Sequence, residues 1–217
     1  HMNAFGGEDR FWMGPEGGQF AIFFAKGVPF DFEHWQTPAA LDTEPFEVIS
    51  QQRDLVQFGR RIQLANYSGT KFDVKVDREV RIVPADAVWK KLGLPPAAGV
   101  SLVGYESVNR LSNAGDAPWS PRTGLLSIWI LGMFNATPET TVAVPIRAGD
   151  EAKLGPKVNA DYFGQVPPER LVAEDKAVFF RADGRYRSKI GFSPARCKPI
   201  LGSYDAQAGV LTVVQFT

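Results

Sequence analysis

An all-β sandwich is the fold class this sequence predicts, on three observations. Glycine (21 residues) and proline (16) are spread along all 217 residues and punctuate short apolar or alternating runs, the rhythm of strands joined by turns. From Lys71 to Val83 the pattern alternates: Phe72, Val74, Val76, Val80 and Ile82 share one face, and charged residues fill most of the other. Helical signals are confined to Pro84 to Gly93, where Asp86 lies early, Lys90 and Lys91 late, and glycine follows.

The elements follow in order. Strands are expected at Phe20 to Phe24, Phe46 to Gln51, Leu55 to Asn66, Lys71 to Val83, Val100 to Asn109 and Leu125 to Phe134. Five more are expected at Thr140 to Pro145, Ala177 to Arg181, Arg187 to Phe192, Ile200 to Asp205 and Leu211 to Phe216. Strands at this spacing imply one large sandwich domain over residues 1–217. Asn66 to Thr70 is made of residues that tolerate a left-handed backbone, so Leu55 to Val83 reads as one long hairpin. Asp205 to Gly209 reads as a similar turn, and a short turn starts at Pro167. The run Leu125 to Phe134 is apolar on both faces, which predicts a fully buried strand with Trp129 in the core. Arg147 to Gln165 is polar and loop-like.

Composition removes several function classes. The 24 Lys and Arg balance 24 Asp and Glu, and no basic block is present, which excludes the footprint of phosphate-backbone binding and so nucleic acid as a partner. No apolar run approaches the roughly 18 residues of a spanning helix, so no membrane partner is expected and the chain reads as soluble. Cys197 stands alone and zinc spacing is missing, so no cofactor is expected; scattered Asp and Asn are compatible only with a structural calcium ion, without an EF-hand loop. Ser101, Ser107 and Ser127 lack a nucleophile-elbow context, and Cys197 lacks a neighbouring histidine, which disfavours serine and cysteine hydrolases.

Three segments concentrate chemistry. In Asn3 to Phe20, glycines and Pro15 bracket Glu8, Asp9, Arg10 and Glu16 among Phe11, Trp12 and Phe20. That mixture suits a sugar site, where apolar ring faces stack on tryptophan and hydroxyls meet fixed carboxylates and a guanidinium. The competing reading is a turn with a buried Glu-Arg pair and core aromatics. Pro29 to Pro38 holds Glu33, His34 and Trp35 in a proline-bounded loop. Glu8, Asp9, Glu16, Glu33 and His34 are the acid–base candidates, and paired carboxylates supply the two roles of glycoside chemistry. Tyr105 to Trp119 offers Asn109 and Arg110 as groove-facing side chains, against the alternative of a strand end and loop. Tyr186 to Lys189 adds late cations that either orient a hydroxyl or carboxylate or are solvated strand charges.

Gly6 to Trp12, Gly14 to Phe20, Glu33 to Pro38, Asn109 to Gly115, Gly124 to Phe134, and Gly202 to Asp205 with Val213 to Gln215 resemble a bacterial family of unknown function, DUF6786. The resemblance covers nearly the whole chain. It implies a galactose mutarotase-like supersandwich, here shortened at both ends, in a fold group of sugar epimerases and domains of glycoside hydrolases and polysaccharide lyases. Epimerases of that fold use histidine with a late carboxylate, whereas His34 lies early here, so an acid-rich, histidine-poor site leans toward hydrolysis. The expectation is a glycoside hydrolase in which Glu8 and either Glu16 or Glu33 transfer protons. Arg10 and His34 would orient hydroxyls, and Trp12 and Trp35 would stack on the ring. A mutarotase-like epimerase and a non-catalytic carbohydrate-binding module are the alternatives. Unpaired edges left by shortening are expected to pair with a second copy as a homodimer. Bacterial cytoplasm and periplasm both remain open.

Overall fold

The computed structural model describes residues 7–217. Asn3 to Gly6, the start of the glycine- and acid-rich segment, lie outside the described residues. The described chain is mostly β, with eleven strands in three antiparallel sheets and three short α-helices. It divides into two compact units, His1–Phe134 and Asn135–Thr217.

In the first unit β1 (Gly7–Gly14) is followed by β2 (Glu47–Gln51), β3 (Leu55–Ala65), β4 (Lys71–Val83), β5 (Gly104–Asn113) and β6 (Ser127–Met133). One sheet has the order β2-β3-β4-β5, and β1 pairs with β6 in another. The expected long hairpin is present: β3 and β4 keep unbroken register from Leu55 opposite Arg81 to Ala65 opposite Lys71. Asn66 fixes its turn, accepting from the Thr70 N–H at 2.9 Å while its Nδ2 donates to the Thr123 carbonyl at 2.9 Å. Gly69 takes φ +91°, a conformation that suits glycine.

The alternation of β4 sets the core and the open surface together. Phe72, Val74 and Val76 are buried and join Trp12, Met13 and Phe23 in one cluster. The same face continues through Arg78 and Val80 to Ile82, which is 55% exposed. One face of this sheet is thus sealed at one end and open at the other.

Several expected elements take other forms. Phe20 to Phe24, buried from Ala21 onward, is not a strand, because its carbonyls serve turns: Ala21 accepts from the Tyr67 N–H and Phe23 from the Gln36 N–H, each at 2.8 Å. Apolarity marked the core there, not the backbone conformation. The Leu125 to Phe134 run is strand only over β6 and is not buried on both faces. Trp129 and Leu131 pack on the core, whereas Ile128 and Ile130 are each 39% exposed. β1 escaped the strand reading because Phe11, Trp12 and Met13 are buried consecutively, which erases the period of two. The helix α2 (Ala85–Leu92) stands where it is expected, closed by Gly93 in the left-handed region with its N–H on the Lys90 and Trp89 carbonyls. The one-turn helix α1 (Ala39–Asp42) and a 3₁₀ turn at Phe32–His34 are additional, too short to show periodicity.

The second unit holds α3 (Glu151–Leu154) within the loop-like stretch, and five strands: β7 (Thr140–Pro145), β8 (Leu171–Ala173), β9 (Ala177–Arg181), β10 (Ile200–Asp205) and β11 (Val210–Gln215). Their order is β11-β10-β7-β9-β8 over a core of Val144, Ile146 and Val178. Arg187 to Phe192 is not a strand; only Gly191 bridges, to Asn159. The fully buried Arg196 anchors the loop of α3 by donating to the carbonyls of Arg147 at 2.7 Å, Gly149 at 3.2 Å and Gly155 at 2.5 Å.

Two carboxylates make this unit acid-sensitive. The Arg170 guanidinium, then the Arg185 N–H, hold the Asp183 carboxyl below the usual carboxylate range. For Asp205 the Ala208 N–H does so first, helped by the hydroxyls of Thr137 and Thr140. Folded values below the unfolded 3.8 mean that the unfolded chain binds more protons as pH falls. Their contribution is therefore complete above about pH 5 and is lost as pH drops through 3.8 toward the lower folded values. Thermal melts between pH 3 and pH 6 are expected to show this loss, and Asp205→Asn is expected to flatten it; an equally steep dependence in the variant would contradict the assignment.

Candidate functional site

The open end of the β2-β3-β4-β5 face is the floor of a groove of about 1130 Å³. Val56, Phe58, Val80, Ile82 and Tyr105 contribute its apolar surface. Residues 8–11 of β1 and residues 41–46, from the end of α1 onward, stand along its sides.

An irregularity in β1 arms the wall. Gly7 lies opposite Met133 and Arg10 opposite Leu131, so Glu8 and Asp9 together face the single residue Gly132. Such a bulge re-aims side chains that would otherwise alternate. Both acids consequently bear on Tyr105: partial burial first, and then the charges of Glu8 and Asp9 together with a hydrogen bond to Glu8, push its phenol above the usual tyrosine range. Tyr105 therefore keeps its proton beside the two acids.

Two arginines clamp the neighbouring acids. Arg78 of β4 sits 2.8 Å from Asp9 Oδ1 and donates to the Asp9 carbonyl at 2.6 Å. The side-chain contact is close but misaligned, because the buried Oδ1 meets no donor in hydrogen-bonding geometry. Arg10 pairs with Asp42 at 2.7 Å, and its guanidinium lies 5.3 Å from the Trp12 ring. These side chains form fixed acceptors and donors around one carboxylate, Glu8, that is exposed to the groove.

A model of a family of unknown function, DUF6786, matches residues 1–217, the whole chain. The chain belongs to that family. Comparison with curated proteins and with solved structures gave no match.

In this DUF6786 chain the groove gathers Glu8, Asp9 and Arg10 from the residues singled out in the sequence, and leaves the others elsewhere. Trp12 is 1% exposed, wedged between Phe23 and Trp129 with ring centroids 5.6 and 5.7 Å away. Trp35 stacks on Phe23 at 4.5 Å, and its Nε1 donates to Thr37 Oγ1 at 2.9 Å. Neither tryptophan offers a face to the groove. His34 closes the 3₁₀ turn, its Nδ1 2.6 Å from Asp31, while Asp31 caps that turn by accepting the His34 N–H at 3.0 Å. The His34 hydrogen bond holds the Asp31 carboxyl below its usual range. Glu33 is exposed on the same turn, and Glu16 follows β1 at the end away from the bulge. Asn109 Nδ2 donates to Ser107 Oγ at 3.0 Å, and Arg110 is exposed on β5.

Sequence reasoning missed Asp42 and Arg78. Arg78 left a signal, since it breaks the apolar parity of β4 between Val76 and Val80. Asp42 left none, because a one-turn helix positions it. Among the described residues no cluster of three His, Cys, Asp or Glu side chains is placed to hold a metal ion.

Proposed function

We propose that the groove binds a carbohydrate and that Glu8 carries the proton transfer of glycosidic-bond hydrolysis there. The observation that carries this reading is the bulge in β1, which turns Glu8 and Asp9 together toward Tyr105 above an apolar floor. A sugar ring resting on Val80, Ile82 and Tyr105 buries its C–H face, and its hydroxyls meet Asp9, Asp42 and their arginines. In this reading Asp9 and Asp42, each paired with an arginine, are the fixed partners that hold the sugar, and Glu8 is the proton donor. The aromatic stacking expected from Trp12 and Trp35 passes in this reading to Tyr105 and the aliphatic floor.

The test is a thermal-shift screen against mono-, di- and oligosaccharides, run beside Ile82→Glu. Ile82 is exposed, so a glutamate there fills the groove with charge at small cost to folding. A sugar at about 100 times its dissociation constant is expected to stabilise the protein by about 2.7 kcal/mol, and the substitution is expected to abolish the shift. No shift with any sugar, or one that Ile82→Glu leaves intact, would refute the assignment. The arginine pairs on Asp9 and Asp42 favour one second reading, a binding module in which the acids only accept hydrogen bonds. It is distinguished by binding without turnover of aryl glycosides.

A further inference from the structure

The floor of the groove changes character along its length, and the strand register orders the change. Three rows cross it from β3 through β4 to β5: Val56, Val80 and Ser107; then Phe58, Arg78 and Asn109; then Arg60, Val76 and Leu111. Ile82 and Tyr105 stand opposite one another outside the first row. Ile82 is more than half exposed, whereas Val76 is 0% exposed and Leu111 packs on the core. At that inner row Arg60 reaches from the floor to the side wall, donating to the Pro45 carbonyl at 2.7 Å and pairing with Glu44, and nearby Phe11 meets Phe46 edge to face at 6.0 Å. The groove is therefore a slot closed at one end. Between Arg78 and Ile82 its floor rises about 13 Å along β4.

Polarity is placed at the closed end. Arg78 holds Asp9 there, and Asn109 lies next to Arg78 across the β4–β5 register. Asp9 Oδ1 and Asn109 Oδ1 are both buried without a hydrogen bond among the described residues. Buried acceptors rarely stay unpaired, so two of them flanking one arginine mark a place where a donor is supplied from outside. The terminal torsion of Asp and Asn is soft, and a small rotation presents each oxygen to a donor arriving in the slot. Toward the mouth the floor is apolar, with Val80, Ile82 and the Tyr105 ring. Asp9 contacts Arg78 while Glu8 bears on Tyr105, so the bulge in β1 sets one acid toward each end of the slot.

We propose that the slot takes the free end of a sugar chain, its terminal ring seated against Asp9, Arg78 and Asn109 and the rest of the chain leaving over Ile82. The inference rests on the carbohydrate reading of the groove and adds that the protein acts on chain ends. A terminal ring carries a hydroxyl where every internal ring carries a glycosidic bond, and that hydroxyl is the donor that the closed end lacks. The rings that follow lay their C–H faces on the apolar floor. Glu8 then stands beside the bond that joins the terminal ring to the chain. Hydrolysis breaks that C–O bond: the bond oxygen leaves with its fragment, carrying the Glu8 proton, the hydroxyl of water joins the anomeric carbon, and the remaining proton of water restores Glu8.

Hexamers of the cello-, xylo-, manno- and malto-oligosaccharide series, each beside a soluble polysaccharide of the same linkage, test this by thermal shift and by the products of digestion. At equal mass concentration the hexamer is expected to stabilise the protein more than the polysaccharide, since free ends per unit mass fall as chains lengthen. Early digests are expected to contain a sugar of one or two rings with the complementary pentamer or tetramer, and the polysaccharide is expected to keep its viscosity. Asn109→Leu removes one acceptor at the closed end and is expected to weaken hexamer binding about tenfold, with a melting temperature within about 2 °C of wild type because that acceptor is unpaired in the free protein. Arg110→Gln, on the opposite face of β5, is expected to leave binding unchanged. Trimers from the first time points, a rapid fall in viscosity, an equal shift from the polysaccharide, or wild-type hexamer affinity in Asn109→Leu would overturn the chain-end assignment while leaving the groove a sugar site. No shift and no cleavage with any of these sugars would overturn the groove reading and this inference with it.

Discussion

Trp12→Ala is expected to destabilise the protein by about 3–5 kcal/mol, whether or not a sugar is present. The ring is 1% exposed and contacts Phe23 and Trp129, with Phe23 in turn stacked on Trp35, so its removal opens a cavity that these rings would have to collapse to fill. In a chain of this length each kcal/mol lowers the melting temperature by about 2–4 °C, so a fall near 10 °C is expected by calorimetry. Trp12→Phe should cost much less. It keeps most of the apolar volume and deletes an indole N–H that is buried without a hydrogen-bond acceptor among the described residues. A sugar-stacking tryptophan predicts the opposite pattern, with a wild-type melt, lost binding, and partial rescue by phenylalanine. An unchanged melting temperature in Trp12→Ala would place the residue in a site after all.

The contrast shows what the sequence carried. Alternation in Lys71 to Val83 was legible because one face of β4 is dry and the other wet over most of its length, and Asn66 to Thr70 was legible because turn chemistry is local. Gly93 was legible for the same reason. Elements whose form depends on distant partners were not. Phe20 to Phe24 is as apolar as a strand, yet Tyr67 and Gln36 take its carbonyls. Gly7 to Gly14 carries a dense mixture of acids and aromatics that reads as a site, whereas half of it is core strand and half is groove wall.

The wall of the candidate groove was legible in part for that reason. Its acids and Arg10 lie in the most unusual stretch of composition, and the eye falls there first. Of the candidate glutamates the groove takes in Glu8 but not Glu16 or Glu33, which share its residue type but stand on other segments of the chain. His34 was singled out as the one internal histidine, but its partner is Asp31, three residues before it, which makes it a helical cap contact. Asp42 and Arg78 became visible only when α1 and β4 were brought to the same groove.

Glu8→Gln is the substitution expected to separate catalysis from binding. The side chain is exposed to the groove and lies on the bulge, so its amide is isosteric, the fold is expected to stay intact, and the melting temperature should move by less than about 2 °C. Glutamine keeps an acceptor oxygen near Tyr105 but cannot supply a proton, so sugar affinity should hold within a few fold. Turnover of an aryl glycoside that wild type cleaves should fall by about 10²–10⁴, the range that positioned acid–base catalysis contributes. Asp9→Asn acts differently: it leaves Arg78 beside a neutral amide at a side chain only 14% exposed, so both stability and affinity should fall. Tyr105→Phe removes the donor but spares Glu8, and an intermediate loss of turnover is expected. Wild-type turnover in Glu8→Gln would remove the central residue of the hydrolase reading. Unchanged sugar binding by a wild-type protein that cleaves no glycoside would leave Glu8 as one more fixed acceptor, because a carboxylate that only receives hydrogen bonds loses little when it becomes an amide.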